Sequence, residues 1–279
     1  MYLQPTTLAE ALLALSRQPL RVLAGGTDVF PAQGERPLSE PVLDISRIGG
    51  LAGITFSKDH IRFGATTTWS AIARATLPPA FRALQQAARE VGALQIQNAG
   101  TIGGNLCNAS PAADGVPPLL ALEAQVELAS CAATRRLPLA DFITGYRKTV
   151  LQPGELVTAI LVPRGLESAG SAFLKLGARR HLVISIAMIA AVLKIDQGRI
   201  AAARVAVGAC SPVARRLPML ETTLLGKAAK AGFEDAITPE HLAGLAPIDD
   251  VRASATYRLD AVRTLIGRTL DAALEQAHG

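Results

Sequence analysis

Cysteine is scarce in this chain of 279 residues: Cys107, Cys131 and Cys210 are odd in number, far apart, and form no Cys-x-x-Cys pair. They support neither a disulfide framework nor a zinc or iron–sulfur site held by this chain. A reducing, cytoplasmic setting is expected. Aromatic residues make up only 4% of the chain and charged residues 18%, so Val, Ile, Leu and Ala must build the core. The net charge of +5 comes from scattered Lys and Arg with no interleaved aromatic platform, which argues against nucleic-acid binding. The longest apolar run, Ile184 to Leu193, ends at Lys194, well short of the roughly 20 residues that a membrane span needs. At the start, Met1-Tyr2-Leu3-Gln4-Pro5 has no basic segment ahead of an apolar one, so no signal peptide is expected. The four histidines (His60, His181, His241 and His278) have no metal-ligand spacing. No Ser/His/Asp elbow or Walker loop occurs; Leu225-Gly226-Lys227 lacks the upstream glycine and the following hydroxyl. Hydrolytic chemistry is therefore unsupported.

What the chain does have is two glycine pairs about eighty residues apart: Leu23-Ala24-Gly25-Gly26-Thr27-Asp28 and Thr101-Ile102-Gly103-Gly104-Asn105. Each follows or interrupts an apolar stretch and strips side chains from two successive positions, so that backbone N–H groups can converge on one point. A single pair reads as a tight turn. Two pairs, each near a probable strand end and flanked by Thr27, Thr101 or Asn105 as hydrogen-bonding side chains, suit a pyrophosphate. A dinucleotide cofactor is the first hypothesis, although neither motif is the Gly-x-Gly-x-x-Gly of a Rossmann helix.

The patterning predicts an α+β protein. Thr7 and Glu10 have capping-box spacing ahead of a helix over 7–17. Strands are expected over 21–24, 41–46, 61–65, 125–129 and 155–162. Helices should follow the Thr68 cap, start at Pro79, and occupy 118–121. Arg164 to Gly170 is the expected boundary. Beyond it, three strands (171–176, 185–195 and 200–207) with an Asp196-Gln197-Gly198 hairpin loop precede helices over 219–225 and 255–277.

Two single residues attract attention. Asp114 is a good acceptor for ribose hydroxyls, or equally a helix N-cap before Pro117-Pro118. Lys175 sits in the middle of an apolar strand. A cation there could tune a flavin near its N1 and C2 carbonyl region, or merely blunt an edge strand. With Arg179, Arg180 and His181 it forms the densest basic cluster, suited to an anion or a partner.

Taken together, these segments resemble the FAD-binding medium subunit of molybdenum hydroxylases, a group that includes xanthine dehydrogenase and carbon monoxide dehydrogenase. The resemblance runs through both glycine motifs, Ser110-Pro111-Ala112-Ala113-Asp114, Tyr146-Arg147-Lys148-Thr149, Ser171-Ala172-Phe173-Leu174-Lys175 and Asp250-Val251-Arg252-Ala253-Ser254 with Tyr257-Arg258. It implies a two-lobed flavin-binding fold of the vanillyl-alcohol-oxidase type plus a C-terminal three-stranded antiparallel sheet with helices. The FAD-binding domain would be 1–167, with lobes of about 1–54 and 55–167, and the C-terminal domain 168–279. By resemblance, Leu23, Ala24, Gly25, Gly26, Thr27, Asp28 and Val29, with Thr101, Ile102, Gly103, Gly104 and Asn105, bind the pyrophosphate and its surroundings. Asp114 contacts the cofactor, Val157 lies near the ring and Lys175 near the flavin. No histidine occupies the first motif, so non-covalent FAD is expected. The resemblance also implies an iron–sulfur small subunit with two 2Fe–2S clusters and a large subunit with the molybdenum cofactor, as a dimer of heterotrimers. Electrons would pass through FAD to NAD or another acceptor. His181-Leu182 stands where xanthine dehydrogenases often carry acids that bear on NAD use, which leaves the acceptor open. A stand-alone flavin oxidoreductase and a scaffold that lost its cofactor are the alternatives.

Overall fold

The computed structural model describes residues 1–277; His278 lies outside them. The chain begins with a small parallel sheet ordered Tyr2–Leu3, Val42–Asp44, Arg21–Leu23. The helix Leu8–Arg17 packs on it through Ala11 and Leu12. Its start is set by the expected capping box, in which the Thr7 hydroxyl and the Glu10 carboxylate each accept the other's backbone N–H, satisfying groups a helix end otherwise leaves orphaned.

The next lobe is a five-stranded antiparallel sheet ordered Ile54–Phe56, His60–Gly64, Leu156–Pro163, Gln125–Ala129, Thr134–Pro138. Its central strand is buried along nearly its whole length, which is why it reads as a continuous apolar run rather than an alternation. Its ladder to Gln125–Ala129 slips between Val157 and Ala159. A bulge at that point re-aims the local side chains. The helices Trp69–Arg74 and Arg82–Glu90 cover one face, with Trp69, Ile72, Leu84 and Ala87 in the core.

The C-terminal sheet runs Gly170–Leu176, Ala187–Asp196, Arg199–Gly208, Arg215–Arg216. Three strands were expected there; the fourth is only two residues long and is held by Arg216, which ion-pairs with Glu221 and Glu123. Gln197 and Gly198, both left-handed (φ 47° and 70°), turn the hairpin. The helix Ala255–Ala277 lies against this sheet and buries Val262, Ile266, Leu270 and Leu274. Phe173, Met188 and Val192 on the other face join the core of the five-stranded lobe, so one continuous apolar interior spans both.

Several short elements were not expected, and two show why. Thr134–Pro138 is an edge strand whose Arg135 and Arg136 face solvent and pair with Glu155 and Glu127, so it lacks an apolar alternation and carries edge-protecting charge instead. The helix Leu94–Ala99 is too short for periodicity, and Ala93 gives it no side-chain cap. Among the described residues no helix is long and apolar enough to cross a membrane, and no cluster of His, Cys, Asp and Glu could hold a metal ion.

Candidate functional site

A cavity of about 490 Å³ opens between the first lobe and the five-stranded lobe, within the usual size of small-molecule sites, about 300–1,000 Å³. Both glycine motifs form its walls. Ala24, Gly25, Gly26, Thr27, Asp28 and Val29 line one side, and Thr101, Gly103, Gly104 and Asn105 the other. Val157 lines it too, at the bulge of the central strand. Leu23 and Ile102 do not; they are the buried anchors behind the two motifs.

The motifs touch. A Cβ built on Gly25 would lie 1.8 Å from the Ala99 carbonyl oxygen and 3.1 Å from the Gly100 nitrogen, so only glycine permits this approach. Behind them Trp69, 1% exposed, donates its backbone N–H to Gly100 and lines the cavity.

Their chemistry differs. Among the described residues, the N–H groups of Gly25, Gly26, Thr27, Asp28 and Val29 have no backbone acceptor. Five successive free donors, with Gly26 left-handed at φ 70°, are donors of the kind an anion nest needs. The second motif is not a strand-end turn and not a nest. It opens the helix Ile102–Asn108, and its donors are already used: Ile102 to Thr67, Gly103 to Ala65, Asn105 to the Thr101 carbonyl, and Gly104 to the Thr101 hydroxyl at 3.1 Å. Glycine at 103 serves packing, since a Cβ there would lie 2.7 Å from the Ala65 carbonyl. Two glycines disfavour a helix by about 1 kcal/mol each, which disguised the element, although Thr101 offered an N-cap signal of the same kind as Thr68. Thr101→Ala is expected to lower stability by about 1 kcal/mol in urea unfolding; an unchanged midpoint would show that the cap carries nothing.

What the second wall contributes is Asn105. Its side-chain Oδ1 is buried without a hydrogen-bond partner, in a cavity-lining residue. Buried polar atoms are seldom left so; this oxygen lies behind the lining, beside Gly115.

Asp114 and Lys175 stand apart from this lining. Lys175 Nζ is 2.6 Å from Asp114 Oδ2, each side chain 8% exposed, and the Ser185 hydroxyl donates to Asp114 Oδ1 at 2.6 Å. Burial pushes the Asp114 carboxyl up, against the Lys175 charge and the hydrogen bonds from Lys175 and Ser185. Neither bland alternative holds. The helix Val116–Ala121 has Gly115 as its N-cap, with no side-chain cap. Lys175 does lie on an edge strand, but it points inward. Lys175 also lines a second cavity of about 630 Å³ with Glu90, Arg179, Arg180 and His181. Ser185 carries no signal in the sequence, because a serine acquires this role only when segments far apart in the chain meet.

Residues 1–165 match the family model described as the FAD binding domain in molybdopterin dehydrogenase, and residues 172–273 match the CO dehydrogenase flavoprotein C-terminal domain. A xanthine dehydrogenase FAD-binding subunit of Escherichia coli is 32% identical, covering 100% of this chain and 97% of the relative. The 6-hydroxypseudooxynicotine dehydrogenase complex subunit alpha of Paenarthrobacter nicotinovorans is 33% identical over 95% of this chain and 90% of its own. A solved chain of carbon monoxide dehydrogenase from Hydrogenophaga pseudoflava superposes with a TM-score of 0.88 at 28% identity, covering 99% of this chain and 97% of that one. With a two-walled cavity of nucleotide-site size beneath these matches, the chain belongs to the family of FAD-binding subunits of molybdenum hydroxylases of the xanthine and carbon monoxide dehydrogenase type.

Proposed function

We propose that this chain binds FAD non-covalently and relays electrons from 2Fe–2S clusters on a small partner subunit to NAD or another acceptor. A large subunit would carry the molybdenum cofactor and the substrate chemistry, the whole a cytoplasmic dimer of heterotrimers. Residues 1–167 would clasp the cofactor, with 168–279 as the second domain. The observation that carries the reading is the run of free N–H groups from Gly25 to Val29 along one wall of a cavity whose other wall is the second glycine motif. When bound, a flavin supplies the electron-carrying chemistry that no side chain here provides.

The protein's own part is binding and orientation. Gly25 to Val29 direct N–H donors at a pyrophosphate. Gly104 presents a wall without a side chain, Asn105 offers a polar contact, and Val157, Leu156 and Trp69 exclude water. The Lys175 charge, held in place by its ion pair with Asp114, would set the electrostatics toward the flavin. Among the described residues no histidine lines the cavity, which supports non-covalent attachment.

The test is the absorption spectrum of the full chain, purified and reconstituted with FAD. Bands near about 370 and 450 nm are expected, with all the flavin released to the supernatant on acid precipitation. A colourless protein would overturn the reading, and flavin retained in the pellet would overturn its non-covalent form. Turnover of a small substrate by the isolated chain would favour a stand-alone oxidoreductase instead.

A further inference from the structure

Asp114 lies between two cavities and lines neither. Its Oδ2 accepts from Lys175, which lines the cavity of about 630 Å³, and its Oδ1 accepts from Ser185, which lines another of about 540 Å³. Both contacts are 2.6 Å, and among the described residues neither oxygen has another partner. Ser185 is 2% exposed and Asp114 7%, so the carboxylate meets the second cavity through a hydroxyl alone. A hydroxyl donates one hydrogen bond and accepts others, which lets Ser185 face Asp114 and a cavity water at once. Ser110, Arg147 and Asp250 give that cavity polar lining of the kind that holds water. The flavin-site cavity comes within one residue of the same group. Lys175 also donates to the Glu90 carbonyl at 3.4 Å, and the next residue, Val91, lines that cavity.

The surrounding charges pull Asp114 both ways. Burial pushes its carboxyl up, the Lys175 charge and the hydrogen bonds from Lys175 and Ser185 pull it down, and Glu90 adds to the rise, which prevails. Arg89, Arg179, Arg180 and His181 line the cavity on the lysine side, and Arg147, Arg252 and Arg258 that on the serine side. Asp250, the other carboxyl on the serine side, is different. Although desolvation opposes ionisation, hydrogen bonds from Arg252, Ala253 and Arg258 hold it at about 2, so it stays charged. Asp114 is the carboxyl there that is poised to gain a proton. A like charge appearing nearby disfavours its ionised form further.

We infer that Asp114 takes up a proton when the flavin gains electrons, and that Ser185 delivers it from the cavity it lines. The inference rests on the proposed flavin site. A solvent proton binds Ser185 Oγ as the proton that Ser185 already shares with Asp114 passes to Oδ1. The carboxylate becomes a carboxylic acid, the serine ends as it began, and the electrons all stay on the flavin. Reoxidation returns the proton by the same path. The Asp114–Lys175 pair is then neutral beside the oxidised cofactor and carries the full lysine charge beside the reduced one.

The test uses the full chain reconstituted with FAD. Midpoint potentials are measured across pH by spectroelectrochemistry, with reduced-minus-oxidised infrared spectra in parallel. Between the Asp114 pKa of the oxidised protein and that of the reduced one, the wild-type potential should fall with pH more steeply than that of Asp114→Asn, by one proton per two electrons. A merely structural role would shift the potential equally at every pH. Reduction should also produce the carbonyl stretch of a protonated carboxylic acid, missing from Asp114→Asn. Ser185→Val and Ser185→Thr have the same shape and differ in the hydroxyl. After rapid reduction the acid band should grow about a hundredfold more slowly in the valine variant, the usual worth of a positioned proton-transfer group, and at the wild-type rate in the threonine variant. Equal slopes in wild type and Asp114→Asn, or no acid band in the wild type, would overturn the proton uptake. Equal growth in the two Ser185 variants would overturn the delivery route. If Asp114→Asn retains no flavin, the wild-type band and the Ser185 variants decide alone. A wild-type chain that binds no flavin would instead sink the flavin-site reading itself.

Discussion

Gly25→Ala is expected to abolish flavin retention and to lower the thermal midpoint, the largest effect of any single methyl group in the first lobe. The added carbon would stand 1.8 Å from the Ala99 oxygen and 2.5 Å from the Ala99 carbon. These are backbone atoms at the end of the helix Leu94–Ala99, so no rotamer change relieves the clash. The first wall must move away from the second. Overpacking typically costs about 1–3 kcal/mol, and here it also separates the Gly25–Val29 donors from Asn105. The control is Gly50→Ala, in the same lobe, where a Cβ meets nothing within 4 Å and both readouts should stay at wild type. A Gly25→Ala protein with a full flavin-to-protein ratio and an unchanged midpoint would sink the close-approach argument. Gly103 is a poorer probe of the same idea. Its missing side chain makes room for Ala65, so a variant there disturbs packing whether or not a cofactor is bound.

The glycine motifs were legible because their composition departs from that of any ordinary strand or helix, and the cavity forms where they meet. What sequence could not reveal was that they do different jobs. Gly25-Gly26 leaves its donors free, whereas Gly103-Gly104 spends its donors on Thr101 and on Ala65, just past the strand His60–Gly64. That distinction depends on which acceptors tertiary structure brings close. The same limit explains Ser185 and the unpartnered Arg258 Nε, both defined by neighbours remote in the chain. The long helices and buried strands were readable from periodicity, and the Ala255–Ala277 helix begins where its apolar spacing does. Thr134–Pro138 was not, since a charged edge strand carries little of the pattern that marks a strand.

Lys175→Met should destabilise the protein by about 3–5 kcal/mol near neutral pH, the usual consequence of stripping one partner from a buried ion pair. Asp114 would remain 8% exposed with only the Ser185 hydroxyl to compensate its charge. Its carboxyl is already raised by burial with the lysine present, and without the lysine it rises further. The sign of the pH dependence follows. A folded-state pKa above the unfolded value favours the folded form when protonated, so the variant should regain stability as pH falls through the raised pKa toward the ordinary carboxylate value of about 4. Urea unfolding at several pH values reads this directly, and a loss independent of pH would mean that Asp114 is not left charged. The double variant Asp114→Leu/Lys175→Met should recover most of the loss at neutral pH, because a well-packed apolar pair often replaces a buried ion pair at little cost; the orphaned Ser185 hydroxyl would retain a residual cost of about 1–3 kcal/mol. Recovery of stability separates the two roles of the lysine. If Lys175 only joins the C-terminal sheet to the lobe carrying Asp114, the double variant should hold flavin at the wild-type midpoint potential. If its charge also acts on the flavin, as proposed, the double variant should fold normally and show a lowered potential.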